Sequence, residues 1–261
     1  MTADSRERPR PHVRRWPRAA VMGMVAMAAA SAGAAAAPAA CAARSGLQPT
    51  PVVELYTSEG CSSCPPADRW LAALKDRDDV VALAFHVDYW DRLGWSDRFA
   101  DPAYTRRQVE QQAVNGARFA YTPQVVIDGQ DRKDWPRSRV APRAAAAPVG
   151  IALAREGDGV IATIDASAGA PARLAAFWAV TESAHRTAVR AGENQGATLE
   201  HEFVVRELQP VAAWTAEPGH AHRFAYAPRN AADPAHPRRI DLVVVDAASG
   251  KPVQALALRC R

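Results

Sequence analysis

The stretch "YTSEGCSSCPPAD", residues 56–68, sets two cysteines two residues apart, directly after an apolar run and directly before two prolines and an acid. Three chemistries use such a pair: a redox couple, half of a metal site, or a small structural bridge. The choice depends first on compartment, because cytosolic thiols stay reduced whereas exported ones pair.

Residues 1–40 bear on the compartment. A basic start, "SRERPRPHVRRWPR", gives way to the small, uncharged run "AAVMGMVAMAAASAGAAAAPAA" and then to "CAARSGLQPTP". This is the order of an export signal, with basic region, apolar region and small-residue cleavage zone. It is expected to be cleaved rather than kept as an anchor, since Ala and Gly dominate where stable insertion uses Leu, Ile and Phe. Arg14-Arg15-Trp16 also fits a twin-arginine export element, although adjacent arginines are common in basic leaders. Pro38-Ala39-Ala40-Cys41 matches a lipoprotein box only in part. The expected location is periplasmic or secreted, with membrane contact only through a retained signal or a lipid on Cys41.

Charge narrows the partners. Residues 1–40 hold six arginines against Asp4 and Glu7, a net +4, and the whole chain is also +4, so the remainder is close to neutral. A nucleic-acid footprint needs a clustered basic face, and none is present. About 220 residues remain after the signal, enough for two domains with cores of their own.

Residues 48–135 read as an α/β domain. "PVVELY" is a short apolar strand, and Trp70, Leu71 and Leu74 fall at helical spacing between Pro65 and Lys75. "DVVALAFHV" is a continuous apolar run, as in a strand covered on both faces. Asp101-Pro102 then opens a second helix that Asn115-Gly116 closes. "TPQVVIDGQ" is a strand ending in an Asp-Gly turn, which favours an antiparallel return. Residues 136–148, rich in Pro, Ala and Arg, read as a linker. Residues 149–261 hold short β-like runs such as "GVIATIDA", "ARLAAFWAV" and "RIDLVVVDAASGKPVQALAL", which predict an all-β, sandwich-like domain. His220 and His222 read as polar-loop residues rather than ligands.

The order β-α-β-α-β-β, with Cys61-Ser62-Ser63-Cys64 between the first strand and helix and Thr122-Pro123 before a later strand, resembles the thioredoxin fold, a mixed sheet with flanking helices. That resemblance implies a cis Pro123 beside the cysteine pair and a Thr122 that presents backbone to a substrate chain. "ELYTSEGCSSCPPAD", "HVDYWDRLGWSDRF", "RRQ", "YTPQVVIDG", "GENQG" and "VVREL" together resemble a secreted bacterial thioredoxin-like family, the domain of unknown function 1223. The resemblance runs from about Val52 to near the C-terminus.

The chemistry expected of the pair is thiol–disulfide exchange. A thiolate attacks a sulfur, and a second thiol must lie close enough to release the mixed disulfide. Cys61 is expected to be the exposed nucleophile at a helix entrance, where the helix N-terminus stabilises a thiolate, and Cys64 the resolving thiol. With Ser63 near the N-cap, Pro65 and Pro66 occupy positions whose N–H groups lack helical partners anyway. As a staple the pair is poor: a four-residue loop gains only roughly 2 kcal/mol, against roughly 5 for a bridge spanning most of the chain. A redox-inert interaction module held by a structural disulfide nonetheless stays open.

The metal alternative is a copper or zinc site using Cys61, Cys64 and His86, with Asp88 nearby, short of the ligand number zinc prefers. No cofactor is otherwise expected. The partner is a protein or small thiol or disulfide. Glu54 is the candidate proton shuttle; it lies seven residues before Cys61, one more than the resemblance requires, so strand alternation would turn it to the other face unless a bulge intervenes. Glu59 would raise a neighbouring thiol's pKa. Within "HVDYWDRLGWSDRF", Tyr89, Trp90, Trp95 and Phe99 alternate with charges at no clean period. Trp90 is the candidate substrate-facing residue, and at least two of the others are expected to pack inward. "GENQGATLEHEFVVREL" would bring Glu193, Asn194, His201 or Arg206 near the thiols, although it reads first as a turn and hairpin. Cys41, if retained, would pair with Cys260 as a terminal clamp.

Overall fold

The computed structural model describes residues 1 and 41–260. The export-signal expectation for 1–40 lies outside the described residues, and no described helix is long and apolar enough to cross a membrane. The chain opens with β1 (Ala42–Arg44), then β2 (Val52–Thr57), α1 (Pro65–Ala72), β3 (Val81–His86), α2 (Pro102–Val114), β4 (Gln124–Ile127) and β5 (Gln130–Asp131). It continues with β6 (Val149–Glu156), β7 (Gly159–Ala166), β8 (Arg173–Glu182), β9 (His185–Ala188), β10 (Thr198–His201), β11 (Val204–Thr215), β12 (His222–Tyr226), β13 (Arg238–Asp246) and β14 (Pro252–Leu258). His222 thus lies in a strand, paired with Ile164 of β7, rather than in a polar loop.

The elements form where the local chemistry directs them. The Asp101 side chain accepts the Ala103 N–H at 2.7 Å and caps α2, whose first residue is Pro102. Asp128 and Gly129, at φ 51° and 76°, make the tight turn from β4 to β5. In α1 the N-cap is Cys64 rather than Ser63, and it makes no side-chain capping bond; Pro65 and Pro66 follow in the first turn.

The boundary drawn at 136–148 divides the sequence but not the sheet. Eight strands run β14-β13-β8-β11-β3-β2-β4-β5, so strands from both segments share one mixed sheet. The join is a short parallel bridge, Val204 to Ala84, with the Ala84 N–H on Phe203 O at 2.8 Å. Phe203 is 1 % exposed and adopts φ 56°, a conformation bulky residues rarely take. Its ring packs into the core under α1 and carries the Arg239 guanidinium 4.7 Å from its centroid.

Alternation along β8 serves two cores at once. Leu174, Ala176, Trp178 and Val180 pack against β6 and β7 of a second sheet, ordered β1-β6-β7-β12, which makes the sandwich the sequence predicts. Phe177 and Ala179 face the other way, into the core with Val52, Tyr56, Phe85 and Tyr104.

Cys41 and Cys260 form a disulfide, Cα–Cα 5.6 Å, across 219 positions of sequence. β1 pairs with β6 beside it, so the bridge ties both ends of the described chain to the sandwich. Chain entropy gives such a loop up to about 5 kcal/mol. Cys260→Ser is therefore expected to lower the unfolding free energy, measured in denaturant under non-reducing conditions, by about 2–5 kcal/mol; an unchanged value would show that the bridge does not constrain the unfolded chain.

Candidate active site

The site is built where β2 and β3 end. Val53 and Leu55 face α1, while Val52 and Tyr56 face α2. Glu54 shares the second face. It takes two bonds from Arg107, at 2.7 and 2.8 Å, and one from the Tyr56 hydroxyl at 2.6 Å. The Glu54 proton-shuttle expectation is therefore corrected: no bulge restores the phase, and alternation turns the carboxylate away from the cysteine helix. Burial beside Glu54 pushes the Tyr56 hydroxyl well up, and despite burial the attraction of Glu54 holds the Arg107 guanidinium firmly charged.

On the α1 side, Cys61 and Cys64 form a disulfide, Cα–Cα 5.4 Å, at the start of the helix. Contrary to the expectation of an exposed Cys61, both cysteines are 0 % exposed, although Ser62 and Ser63 between them are exposed. Thr122 Oγ1 donates to Cys61 Sγ at 3.3 Å and accepts the Trp90 Nε1–H at 2.8 Å. Ser63 Oγ lies 3.4 Å from Cys61 Sγ and 3.5 Å from Thr122 O. The Thr122–Pro123 peptide is cis. Cys61, Cys64, Thr122, Pro123 and Trp90 thus come together, with Trp90 positioning Thr122. A Cβ on Gly60 would lie 3.1 Å from Trp90 Cβ, so a side chain there would make Trp90 give by a few tenths of an ångström.

A buried polar cluster gathers at the same ends of β2 and β3. Thr57 Oγ1 donates to Asp68 Oδ2 at 3.2 Å, and Thr57 pairs in register with His86. His86 Nδ1 lies 2.7 Å from Asp97 Oδ2, which also accepts the Glu59 N–H at 2.8 Å. The Glu59 carboxylate accepts the Trp95 Nε1–H at 2.7 Å and lies 3.3 Å from His201 Nε2. Phe99 fills the space between the rings of His86, His185 and His201. Trp95 and Phe99 therefore pack inward as expected. Arg206 sits farther out, pairing with Glu182 and lying over the Phe99 ring.

Burial penalises each of these charges, and the partners decide the outcome. Against its burial, Asp97 is held down at about 2 by the His86 imidazole and two backbone N–H groups. Burial opposes a charged His86, but Asp97 raises it above the usual histidine value. Burial works to raise Glu59, but the neighbouring His201, Thr187 and Trp95 side chains outweigh it and hold the carboxyl below its usual range. Asp68 is raised, with burial the dominant cause.

The copper or zinc set is not assembled. Both sulfurs are in the S–S bond, His86 Nδ1 is on Asp97, and Asp88 is tied to Thr105 of α2. Among the described residues, no three His, Cys, Asp or Glu side chains are grouped to hold a metal ion.

Two residues from far along the chain complete the site. Glu193 Oε2 accepts the Ser62 N–H at 3.0 Å and the Ser62 hydroxyl at 2.7 Å. Asn194 Nδ2 donates to Glu59 O at 2.9 Å and Cys61 O at 3.0 Å. The turn reading of "GENQG" holds in that Gly192 adopts φ 74°, but this turn also grips the cysteine loop. Asp68 and Asp97 are functional candidates the sequence reading passed over. Asp68 had a signal, standing four residues after Cys64 on one helix face; Asp97 had none.

A family model described as "Protein of unknown function (DUF1223)" matches residues 52–245. The chain belongs to the DUF1223 family. The matched span includes the cysteine loop, the Thr122–Pro123 corner and the Glu193–Asn194 turn, so the whole constellation lies within the DUF1223 region. No curated protein is significantly similar to the chain. Two solved structures are similar. Protein AGR_C_4864 from Agrobacterium tumefaciens is 26% identical, with 82% of this chain and 96% of that chain covered, at a TM-score of 0.59. HBP35 of Porphyromonas gingivalis is 15% identical, with 82% and 76% covered, at 0.57, a likeness of fold alone.

Two outcomes test this assignment of faces. Glu54→Ala is expected to destabilise the protein by about 3–5 kcal/mol by stranding Arg107, while the reactivity of the cysteine pair toward dithiothreitol stays unchanged in the folded protein. For the His86–Asp97 pair, a raised histidine stabilises fully below its unfolded pKa of about 6.5 and loses this as pH rises; a lowered aspartate stabilises above about 3.9 and loses this as pH falls. Stability from the pair should thus be greatest between about pH 4 and 6.5. Asp97→Asn should flatten that pH dependence in chemical denaturation, and a profile that keeps its shape would remove the pair as its source.

Proposed function

We propose that this DUF1223 protein is an exported, thioredoxin-like thiol–disulfide exchange protein that works through Cys61 and Cys64. The observation that carries the reading is the disulfide at the start of α1 with the Thr122 hydroxyl on Cys61 Sγ. The likeness to the thioredoxin arrangement rests on parallel β2 and β3, antiparallel β4 and the helix entering directly after the pair. Export is supported by the pairing of all four cysteines, since such bonds persist in oxidising compartments.

In the oxidising direction, a substrate thiolate attacks Cys61 Sγ. A substrate–Cys61 bond forms as the Cys61–Cys64 bond breaks, and the electron pair leaves on Cys64 sulfur, which takes a proton. A second substrate thiolate then attacks the substrate sulfur of the mixed disulfide and releases Cys61. The substrate loses two electrons and the pair gains them; the reverse sequence reduces a substrate disulfide. Cys61 is the attacked sulfur because the Thr122 hydroxyl, a hydrogen-bond donor, is aimed at it and would stabilise the thiolate it becomes. Asp68, one helical turn beyond Cys64 with its carboxyl raised by burial, replaces Glu54 as the candidate proton donor to the leaving sulfur.

Incubated with glutathione disulfide after reduction, Cys64→Ser should accumulate a glutathione adduct on Cys61, read by intact mass. Cys61→Ser should accumulate far less, and Thr122→Ala should slow exchange about three- to tenfold, the worth of one hydrogen bond. Equal adduct on both cysteine variants would sink the assignment of Cys61.

A further inference from the structure

The cysteine loop poses a steric problem for the exchange reaction. An incoming thiolate must reach Cys61 Sγ roughly in line with the S–S bond, yet neither cysteine has any exposed surface. The two serines between them face solvent, so the loop lies at the surface with its sulfurs turned in. Something has to move for any substrate to arrive.

What holds the loop is identifiable. Four hydrogen bonds from two side chains of the 190–196 turn fall on residues 59–62: Glu193 on the Ser62 N–H and hydroxyl, Asn194 on the Glu59 and Cys61 carbonyls. These side chains come from more than 130 positions away in sequence. The turn is itself seated on the aromatic insertion, for a Cβ at Gly192 would lie 3.2 Å from Trp95 Cβ. Trp95 in turn donates to Glu59. The grip therefore closes on both sides of Cys61, at Glu59 two residues before it and at Ser62 just after it.

We propose that Glu193 and Asn194 are specificity-determining residues that latch the cysteine loop shut, so that small thiols and disulfides reach Cys61 while thiols on folded proteins are held off. The inference rests on the exchange function proposed above and supplies its substrate class. A small thiol needs only a local widening beside Thr122. A macromolecular thiol carries its own surface with it and needs the loop lifted clear, which breaks all four bonds. Glu193 has a second effect through charge. Its carboxylate, held below the usual range by the Ser62 hydroxyl and N–H, is a negative group beside the loop and opposes a thiolate at Cys61.

The test uses one reactive group at two sizes. In full-length Cys64→Ser, Cys61 is the single free thiol once the Cys41–Cys260 bridge is kept oxidised. Its alkylation by N-ethylmaleimide and by a maleimide carried on a polyethylene-glycol chain is compared with and without Glu193→Ala plus Asn194→Ala. With the latch intact, the large reagent is expected to lag the small one by about tenfold or more, the scale of a few lost hydrogen bonds, and removing the latch should largely erase the lag. Faster hydrogen–deuterium exchange at the Ser62 amide in the unlatched protein is the accompanying structural sign. The same size ratio in both proteins overturns the latch. Glutathione disulfide exchange by the native cysteine pair is measured in parallel: if neither latched nor unlatched protein exchanges, the exchange function fails, whereas exchange with an unchanged size ratio removes the latch alone. Should the double substitution impair folding, judged by thermal unfolding, Glu193→Ala by itself carries the same comparison.

Discussion

The site depends on the short parallel bridge between β3 and β11. One register pair, Ala84 with Val204, and the Ala84 N–H on Phe203 O join the strands that carry the cysteine loop to the strands of the sandwich. Because β11 enters the sheet there, the segment just before it, 185–201, is delivered to the ends of β2 and β3. His201 then reaches Glu59, and the turn beyond β9 reaches Ser62. Phe203 makes this geometry hold: its unusual backbone angle turns the chain from the hairpin into the sheet, and its buried ring fixes the turn under α1. A parallel bridge of this length is weak by itself, so the buried ring and the Arg239 contact over it carry much of the join.

Strand alternation divides the ionisable groups of β2 and β3 into two sets with different work. Glu54 on the α2 side is neutralised by Arg107 and bonded to Tyr56, a fully paired arrangement that fixes α2 against the sheet. Thr57 and His86 on the α1 side join Asp97, Glu59 and Asp68, and these groups stand beside the disulfide with pKa values pulled both up and down. A buried charge is tolerated only with partners, and here the groups come from five separate stretches of chain: residues 57–59, Asp68, His86, residues 95–97 and His201. The aromatic insertion after β3 is central to this. Trp90 holds Thr122, Trp95 holds Glu59, and Phe99 packs between the histidine rings.

What could be read in advance follows from range. The N-terminal strands and helices were legible because local signals specify them: apolar runs, Asp101-Pro102, Asp128-Gly129. The cysteine pair and Thr122-Pro123 were legible as motifs; Trp90 was legible from its place in an aromatic insertion, but as a substrate contact and not as the donor to Thr122. The shared sheet was not, since the Pro- and Ala-rich segment at 136–148 looks like a linker whether or not the strands beyond it pair with those before. Glu54 was misplaced by analogy, although its one-residue offset already indicated the opposite face. Asp97 was invisible, and Glu193 and Asn194 were legible as neighbours of the thiols but not in their bonds, for a different reason: hydrogen bonds across 38 to 135 positions leave no periodicity to detect.

The Cys41–Cys260 bridge also changes what damage to this protein looks like. With its ends joined, the chain from Cys41 to Cys260 is a covalent ring, and a single backbone cut anywhere inside it, even in the exposed stretch around Pro142, yields one molecule rather than two. The pieces stay together, with the sandwich strands still held beside β1. A nicked copy would run as intact protein until its disulfides were reduced, so proteolytic history is recorded in the backbone without being expressed as loss of a fragment.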